Sequence, residues 1–310
     1  MATDKIDVVY VLGTGSKWNN NEIRFSLRSL EKNLHDYRNI YVVGHHPDFL
    51  KNIIHVPAKD IFNPDLNADG NIITKVLLAC RQKDLSDDFL FINDDHLVIK
   101  PVRASDIPPF HKGDMTKFSS IYWNLNFWRK RLKRTMNVLL QNDLPVYHFD
   151  CHTPIIFNKK RFPEIMQMFN YQDNIGYTMK SLYANIICSK DHPLTNEKKT
   201  VFRYFNLQQL NDRLKTPYLM SFNDQGLNFS LKWWLISNFP ERSKFEKNDP
   251  SDMILDLFFW DSTGRNYKKG VKIFENYYRH TNLIRLLKTR ETNTLRKKLE
   301  FKLLRIINEL

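Results

Sequence analysis

Two adjacent carboxylates, an amide and an imidazole stand together at Asn93-Asp94-Asp95-His96, directly after the apolar run Phe89-Leu90-Phe91-Ile92. Paired carboxylates suit a hard divalent cation such as Mg²⁺ or Mn²⁺, which prefers oxygen ligands and shares phosphate oxygens with a substrate. The plain alternative is an acidic turn, because Asp and Asn favour turns. A similar cluster, Asn223-Asp224, follows Phe222, and an Asx turn or helix cap would explain it equally well. His152 lies in Tyr147-His148-Phe149-Asp150-Cys151-His152-Thr153-Pro154, where a lone histidine is more often a hydrogen-bonded core residue than a reacting one. Gly13-Thr14-Gly15-Ser16 offers backbone N–H groups and hydroxyls that could approach a phosphate, although it is no complete dinucleotide or P-loop fingerprint. Arg24 and Arg28, one helical turn apart, could grip a diphosphate or simply be solvated.

The elements that must carry these residues are legible from periodicity. Residues 6–12 and Asp88–Asn93 are near-continuous apolar runs, as expected of parallel strands buried on both faces. In such sheets ligands bind beyond the carboxyl ends of the strands, where the glycine-rich and acidic stretches both fall. Ile23, Leu27, Leu30 and Leu34 recur at helical spacing, predicting an amphipathic helix over Asn21–Leu34. Strands are expected over Asn39–Gly44 and Ile53–Val56, a loop over Pro57–Asn71 and a helix over Ile72–Lys83. A strand within 148–160 precedes helices over Arg161–Phe169 and Met179–Cys188. Alternating strands and helices predict a mostly parallel, Rossmann-like α/β sheet flanked by helices.

Residues 1–250 form the expected main domain, with an aromatic and basic insertion at 103–145 containing Tyr122, Trp123, Phe127, Trp128 and the run Arg129-Lys130-Arg131-Leu132-Lys133-Arg134. Residues 251–310 are expected to form a basic helical region, with Leu295, Leu299, Leu303, Ile306 and Ile307 on one face. That helix would dock on the domain or lie on an anionic membrane surface.

A chain of 310 residues can bury a large core, and 42% hydrophobic with 26% charged residues is a globular composition. No apolar run approaches the ~20 residues of a membrane span, and the first residues carry no signal-peptide pattern. Three widely spaced cysteines form no zinc or disulfide pattern, which makes the cytoplasm the expected compartment, with peripheral attachment to the inner membrane face through the tail. The net charge of +13 suits nucleic acid, an anionic membrane or a phosphate-rich substrate. No zinc-finger, RNA-recognition or helix-turn-helix signature accompanies it, which disfavours nucleic acid.

Four blocks, in order, resemble the Stealth family, sugar-1-phosphate transferases of bacterial capsule assembly that are related to the eukaryotic lysosomal-targeting phosphotransferase. They are Ile6-Asp7-Val8-Val9-Tyr10; Asn21-Glu22-Ile23-Arg24-Phe25-Ser26-Leu27-Arg28-Ser29-Leu30-Glu31-Lys32-Asn33 with Ile40-Tyr41-Val42-Val43 and Phe91-Ile92-Asn93-Asp94-Asp95; His152-Thr153-Pro154 with Phe202-Arg203; and Phe222-Asn223-Asp224 with Phe239-Pro240-Glu241-Arg242-Ser243-Lys244-Phe245-Glu246. The resemblance implies a GT-A-like fold, a nucleotide-sugar donor and a glycan or lipid-linked glycan acceptor. It implies Asp94 and Asp95 as the metal-proximal acidic motif, joined by Asp224, with His152 as the catalytic-site histidine. Arg203 would contact phosphate, and Asn223-Asp224 would be the last active-site motif. The set is chemically coherent, since phosphoryl transfer needs mainly positioning and charge neutralisation. One departure stands out. The family's first block continues into Trp-Val-(Asp or Asn)-Gly-(Ser or Thr)-Asp, whereas here Lys17 replaces the acidic residue. A donor site changed in this way would suit a different nucleotide sugar, or transfer of the sugar itself by a metal-dependent glycosyltransferase. A non-catalytic basic binding module is the remaining alternative.

Overall fold

In a computed structural model, which describes residues 5–247 apart from 124, 125, 174, 188–191, 193–197, 202 and 204, strands and helices alternate from the first element. The first half runs β1 (Ile6–Leu12), α1 (Asn21–Asn33), β2 (Leu34–His35), β3 (Tyr37–Gly44), β4 (Ile54–Val56), α2 (Pro64–Cys80), β5 (Asp88–Ile92), β6 (His96–Val98) and β7 (Val102–Arg103). There follow α3 (Ser120–Trp123), α4 (Phe127–Gln141), β8 (Ile155–Asn158), α5 (Arg161–Gln167) and α6 (Met179–Ile187). The last described elements are β9 (Lys198–Val201), α7 (Leu207–Arg213), β10 (Leu219–Phe222) and α8 (Phe229–Asn238). The expected helical region at 251–310 lies outside the described residues. Among the described residues, no helix is long and apolar enough to cross a membrane.

The central sheet has the order β4-β3-β1-β5-β8. All its pairings are parallel except that of β8 with β5, so the fold is the expected mixed α/β sheet. Side chains alternate between its faces, as strand geometry requires. Val9, Tyr41, Val43, Phe89 and Phe91 pack with residues of α2, α5 and α6. Val8, Tyr10, Leu12, Val42, Leu90 and Ile92 pack instead against Ile23, Leu27 and Leu30 of α1. At the opposite end of β1 from the site, the Asp7 carboxylate is buried but fully bonded, to Arg38, Asn39 N–H and Ser86 N–H.

A second sheet, β6-β10-β9, covers the outer side of α1. Phe25 of α1 packs with Leu97, Met220, Phe222, Leu231 and Trp234 in a core of its own. Helix α1 is therefore sandwiched between two cores, and every residue from Asn21 to Leu30 is buried. An amphipathic helix with one solvated face was expected, and the second sheet accounts for the difference.

One further expectation is revised. The stretch 57–71 is less loop than its Asp, Asn and Pro content suggests, because α2 starts at Pro64. Asn63 caps it by accepting the Asp65 N–H, and Pro64 suits the first turn. At the internal kink the Asn67 side chain accepts from Gly70 N–H and donates to the carbonyls of Tyr171 and Asp173. Polar residues that read as a loop are thus used inside the helix. The 103–145 stretch also contributes to the main core, through Met115, Trp123, Leu132 and Leu139.

Candidate active site

Parallel pairing of β1 with β5 sets Tyr10 opposite Ile92, so the Gly13–Ser16 loop and the Asn93–His96 turn open at the same sheet edge. The turn closes with His96 N–H donating to the Asn93 carbonyl at 3.2 Å. Helix α1 secures it from below: Tyr10 Oη and Ser26 Oγ are 2.8 Å apart, and Ser26 Oγ donates to the His96 carbonyl. Phe222 N–H donates to the Asp95 carbonyl at 3.2 Å, and Ser221 pairs with His96 across β10 and β6. These backbone contacts bring Asn223-Asp224 beside Asp94-Asp95, although the two acidic pairs are far apart in sequence.

His152 arrives from the other side. It follows buried Phe149, half-buried Asp150 and buried Cys151 and adopts a left-handed backbone, φ 55°. A non-glycine residue there is uncommon, and such conformations cluster at functional sites. Its Nδ1 stands 3.6 Å from Asp95 Oδ2, while His96 Nε2 stands 3.6 Å from Asp95 Oδ1. One ligand atom from each of Asp95, His96 and His152 falls within 4.8 Å of the others. Asp95 Oδ1 is buried without a hydrogen-bond partner among the described residues, as a ligand atom awaiting a cation would be. Asp95, with Asp94 and Asp224 beside it, offers the oxygen ligands that suit Mg²⁺ or Mn²⁺.

His96 is a constrained member of this trio. Its Nδ1 accepts the Asn93 N–H at 3.4 Å, which places the proton of the neutral ring on Nε2, facing Asp95. Ligation through Nε2 would require the opposite tautomer and set two N–H groups against each other. His96 is therefore better suited to orienting Asp95 than to binding the ion.

The acids around this turn raise one another's pKa. Burial raises the Asp94 carboxyl to about 6, with the charge of Asp224 adding to the effect. Asp95 is raised well above the usual range by burial and by Asp94, against the pull of Lys180. Glu22, in the first turn of α1, is raised to about 7 by burial, with Asp94 and Asp224 contributing and the Ser16 hydroxyl opposing. So many acids on one edge, Glu22 buried and Asp94 and Asp95 half-buried, form a site whose negative charge a cation would relieve.

The remaining candidates fall differently. Asp224 reaches Lys17 Nζ at 3.4 Å, with both side chains more than half exposed. Asn223 caps the turn that follows it, its side-chain oxygen accepting the Gly226 N–H at 2.9 Å. Gly226 is required there, since a Cβ would lie 1.9 Å from the Val201 carbonyl oxygen. Arg203, just past the carboxyl end of β9 and thus at the same end of the small sheet as Asn223, is exposed with its guanidinium 5.3 Å from the Phe205 ring. Gly13, Thr14 and Gly15 are exposed, whereas Ser16 Oγ donates to Glu22 and accepts from Trp18 and Asn20 N–H groups. That hydroxyl shapes the approach to α1.

Arg24 and Arg28 require correction as phosphate ligands. Both are buried and ion-paired with Glu246, and Arg28 also donates to the carbonyls of Phe239 and Pro240. Their face of α1 is covered by the 239–246 segment. The gathered trio likewise differs from the expected metal set Asp94, Asp95 and Asp224. Asp95 is common to both, and its companions in the trio are the two histidines. Glu22 was not expected at the site, and His96, named with the acidic stretch, was given no role of its own; only proximity in space assigns them one.

No protein-family model and no curated protein sequence matches the chain. Among solved structures, the chain is similar to galactosyltransferase LgtC in complex with donor and acceptor sugar analogs, at 10% identity and a TM-score of 0.47, over 81% of this chain and 100% of that one. It is also similar to the WbbM bifunctional glycosyltransferase in its apo form, at 13% identity and a TM-score of 0.44, over 77% of this chain and 50% of that one. A third similar structure is apo glycosyltransferase GlyE of Streptococcus pneumoniae TIGR4, at 10% identity and a TM-score of 0.37, over 86% of this chain and 64% of that one.

Proposed function

We propose that the chain is a divalent-cation-dependent nucleotide-sugar transferase that moves sugar-1-phosphate onto a hydroxyl of a glycan or lipid-linked glycan in surface polysaccharide assembly. The observation that carries this reading is the convergence of Asp95 and His152 at the carboxyl edge of the sheet, with Asp95 Oδ1 buried and unbonded among the described residues. The four sequence blocks that resemble the Stealth family support the choice of sugar-1-phosphate.

In this reading Asp95 holds the cation, with Asp94 and Asp224 adding negative charge beside it. When bound, Mg²⁺ or Mn²⁺ supplies charge neutralisation for the donor diphosphate. His152 turns Nδ1 toward Asp95 Oδ2, which favours the tautomer with its proton on Nδ1 and leaves Nε2 to accept one. The acceptor hydroxyl oxygen bonds to the sugar-bearing phosphorus of the donor, and its proton passes to His152 Nε2. The bond from that phosphorus to the bridging oxygen breaks, and a nucleoside monophosphate leaves with the electron pair. Arg203 and Lys17, both exposed at this edge, are available to the phosphates.

A second reading rests on Lys17, which stands where the related blocks carry an acidic residue and meets Asp224. It is transfer of the sugar alone, with a nucleoside diphosphate leaving. The deciding experiment screens nucleotide sugars with Mn²⁺ by thermal shift, then identifies the nucleotide released on turnover. Nucleoside monophosphate with a phosphodiester product supports the first reading, and nucleoside diphosphate with a glycosidic product supports the second. A chain that binds no nucleotide sugar but binds nucleic acid steeply with falling salt would overturn both.

A further inference from the structure

Lys180 is a lysine where an aliphatic residue would be expected. It sits in the first turn of α6, 6% exposed, against the Phe91 ring and beneath the site. A buried ammonium is tolerated only when paired and hydrogen-bonded. Here Nζ donates to the Thr153 carbonyl at 2.5 Å, and its charge faces Asp150, Asp95 and Asp69. Burial pulls its pKa down, and those three carboxylates pull the other way. Asp69 is in turn ion-paired to the buried Arg131 of α4.

The bonds around Lys180 bracket one residue. On one side of His152, the Asp150 carboxylate accepts the N–H groups of Lys180 and Ser181 at 3.2 and 2.9 Å, and Phe149 N–H donates to Ser181 Oγ at 3.0 Å. On the other side, the Thr153 carbonyl is held by Lys180 Nζ. His152 bulges between these anchors in its left-handed conformation and meets Asp95. A neutral side chain could fill the same volume, but it could neither hold the carbonyl nor face Asp95 with a charge.

We infer that Lys180 is a positioning residue for this site: its ammonium holds the Thr153 carbonyl, fixes the bend that presents His152 to Asp95, and sets a positive charge near Asp95. The inference rests on the proposed roles of Asp95 and His152, and extends the site by a residue from the helix behind it.

The test uses the full chain with ¹³C-labelled histidine and lysine side chains, as wild type, Lys180→Met and Lys180→Arg. In Lys180→Met, the His152 ring resonances should move toward those of a solvent-exposed histidine while His46 and His55 stay in place. Turnover of the donor found in the screen should fall roughly 10- to 100-fold, the usual cost of losing a group that orients a ligand. KM should change little, and Lys180→Arg, which keeps the charge and the donors, should recover part of kcat. A folded Lys180→Met with unmoved His152 resonances and unchanged kcat overturns the inference. If Lys180→Met does not melt cooperatively, the wild type decides: substoichiometric Mn²⁺ should broaden Lys180 together with His152, and broadening of His152 alone overturns the inference. If Mn²⁺ broadens neither, the metal-dependent reading fails, and the inference then stands or falls on the His152 shift in Lys180→Met, or in Lys180→Arg if the methionine variant is unfolded.

Discussion

Arg28 grips Glu246 with two edges of its guanidinium, Nε reaching Oε1 at 2.8 Å and Nη2 reaching Oε2 at 2.9 Å, with both side chains buried. Arg24 adds a second guanidinium to the same carboxylate, and Ser243 donates to it from its N–H and hydroxyl. Two sequence blocks that look like separate motifs are therefore the two halves of one clasp, which closes the 239–246 segment over α1.

Breaking that clasp should be costly. Replacing Glu246 by Gln or Ala leaves two buried guanidinium groups without their countercharge, and losing one partner of a buried pair typically costs about 3–5 kcal/mol. Urea unfolding should place both variants well below wild type. A change under about 1 kcal/mol would mean that Glu246 is not the clasp's centre.

Acid should weaken the fold through the same kind of group. Burial alone would raise the carboxyls of Asp7 and Glu246, but hydrogen bonds from Arg38, Ser86 and Asn39 to Asp7, and from Arg28 and Ser243 to Glu246, hold both below their ordinary values of 3.8 and 4.5. Folded pKa values below unfolded ones give stability that is complete above the ordinary range and is lost as pH falls through the depressed values. Melting temperature should therefore drop progressively below about pH 4, and Asp7→Asn should flatten part of that decline. An acid limb identical in wild type and Asp7→Asn would rule out the Asp7 contribution.

Metal and proton roles should separate between two variants. Asp95→Asn should abolish Mn²⁺ binding followed by the electron paramagnetic resonance of the free ion. His152→Ala should retain most Mn²⁺ affinity yet lose turnover by more than the roughly 100-fold upper cost of losing a supporting residue. Equal loss of Mn²⁺ binding in both would make His152 a ligand and leave the proton to another group.

Lys17 offers a contrast between stability and recognition. Its contact with Asp224 is exposed on both sides, so Lys17→Ala should change unfolding free energy by no more than about 0.5 kcal/mol. If Lys17 faces the donor diphosphate, the same change should raise donor KM and reduce its dependence on salt. An unchanged KM would place the donor elsewhere.

How much of this was readable beforehand depends on the range of the interaction involved. Strands β1 and β5, and helix α1, follow from local runs and spacing, because burial on a sheet imposes a period on the sequence itself. The sheet edge carrying Asp94 and Asp95 was equally legible, since parallel strands direct their carboxyl ends one way. The fate of α1's polar residues was not. Whether Arg24 and Arg28 meet water, a phosphate or a carboxylate depends on what covers the helix, and the cover comes from a distant segment. His152 is a similar case: its residue type suggested chemistry, but only the left-handed bend, tied by Asp150 and Lys180 to α6, aims it at Asp95. By itself the sequence determined the parallel α/β framework and the edge where polar chemistry gathers, through short-range periodicity. Tertiary structure alone decided which charges neutralise one another in the interior and which remain facing the site, because ion pairing depends on separation in space and not along the chain.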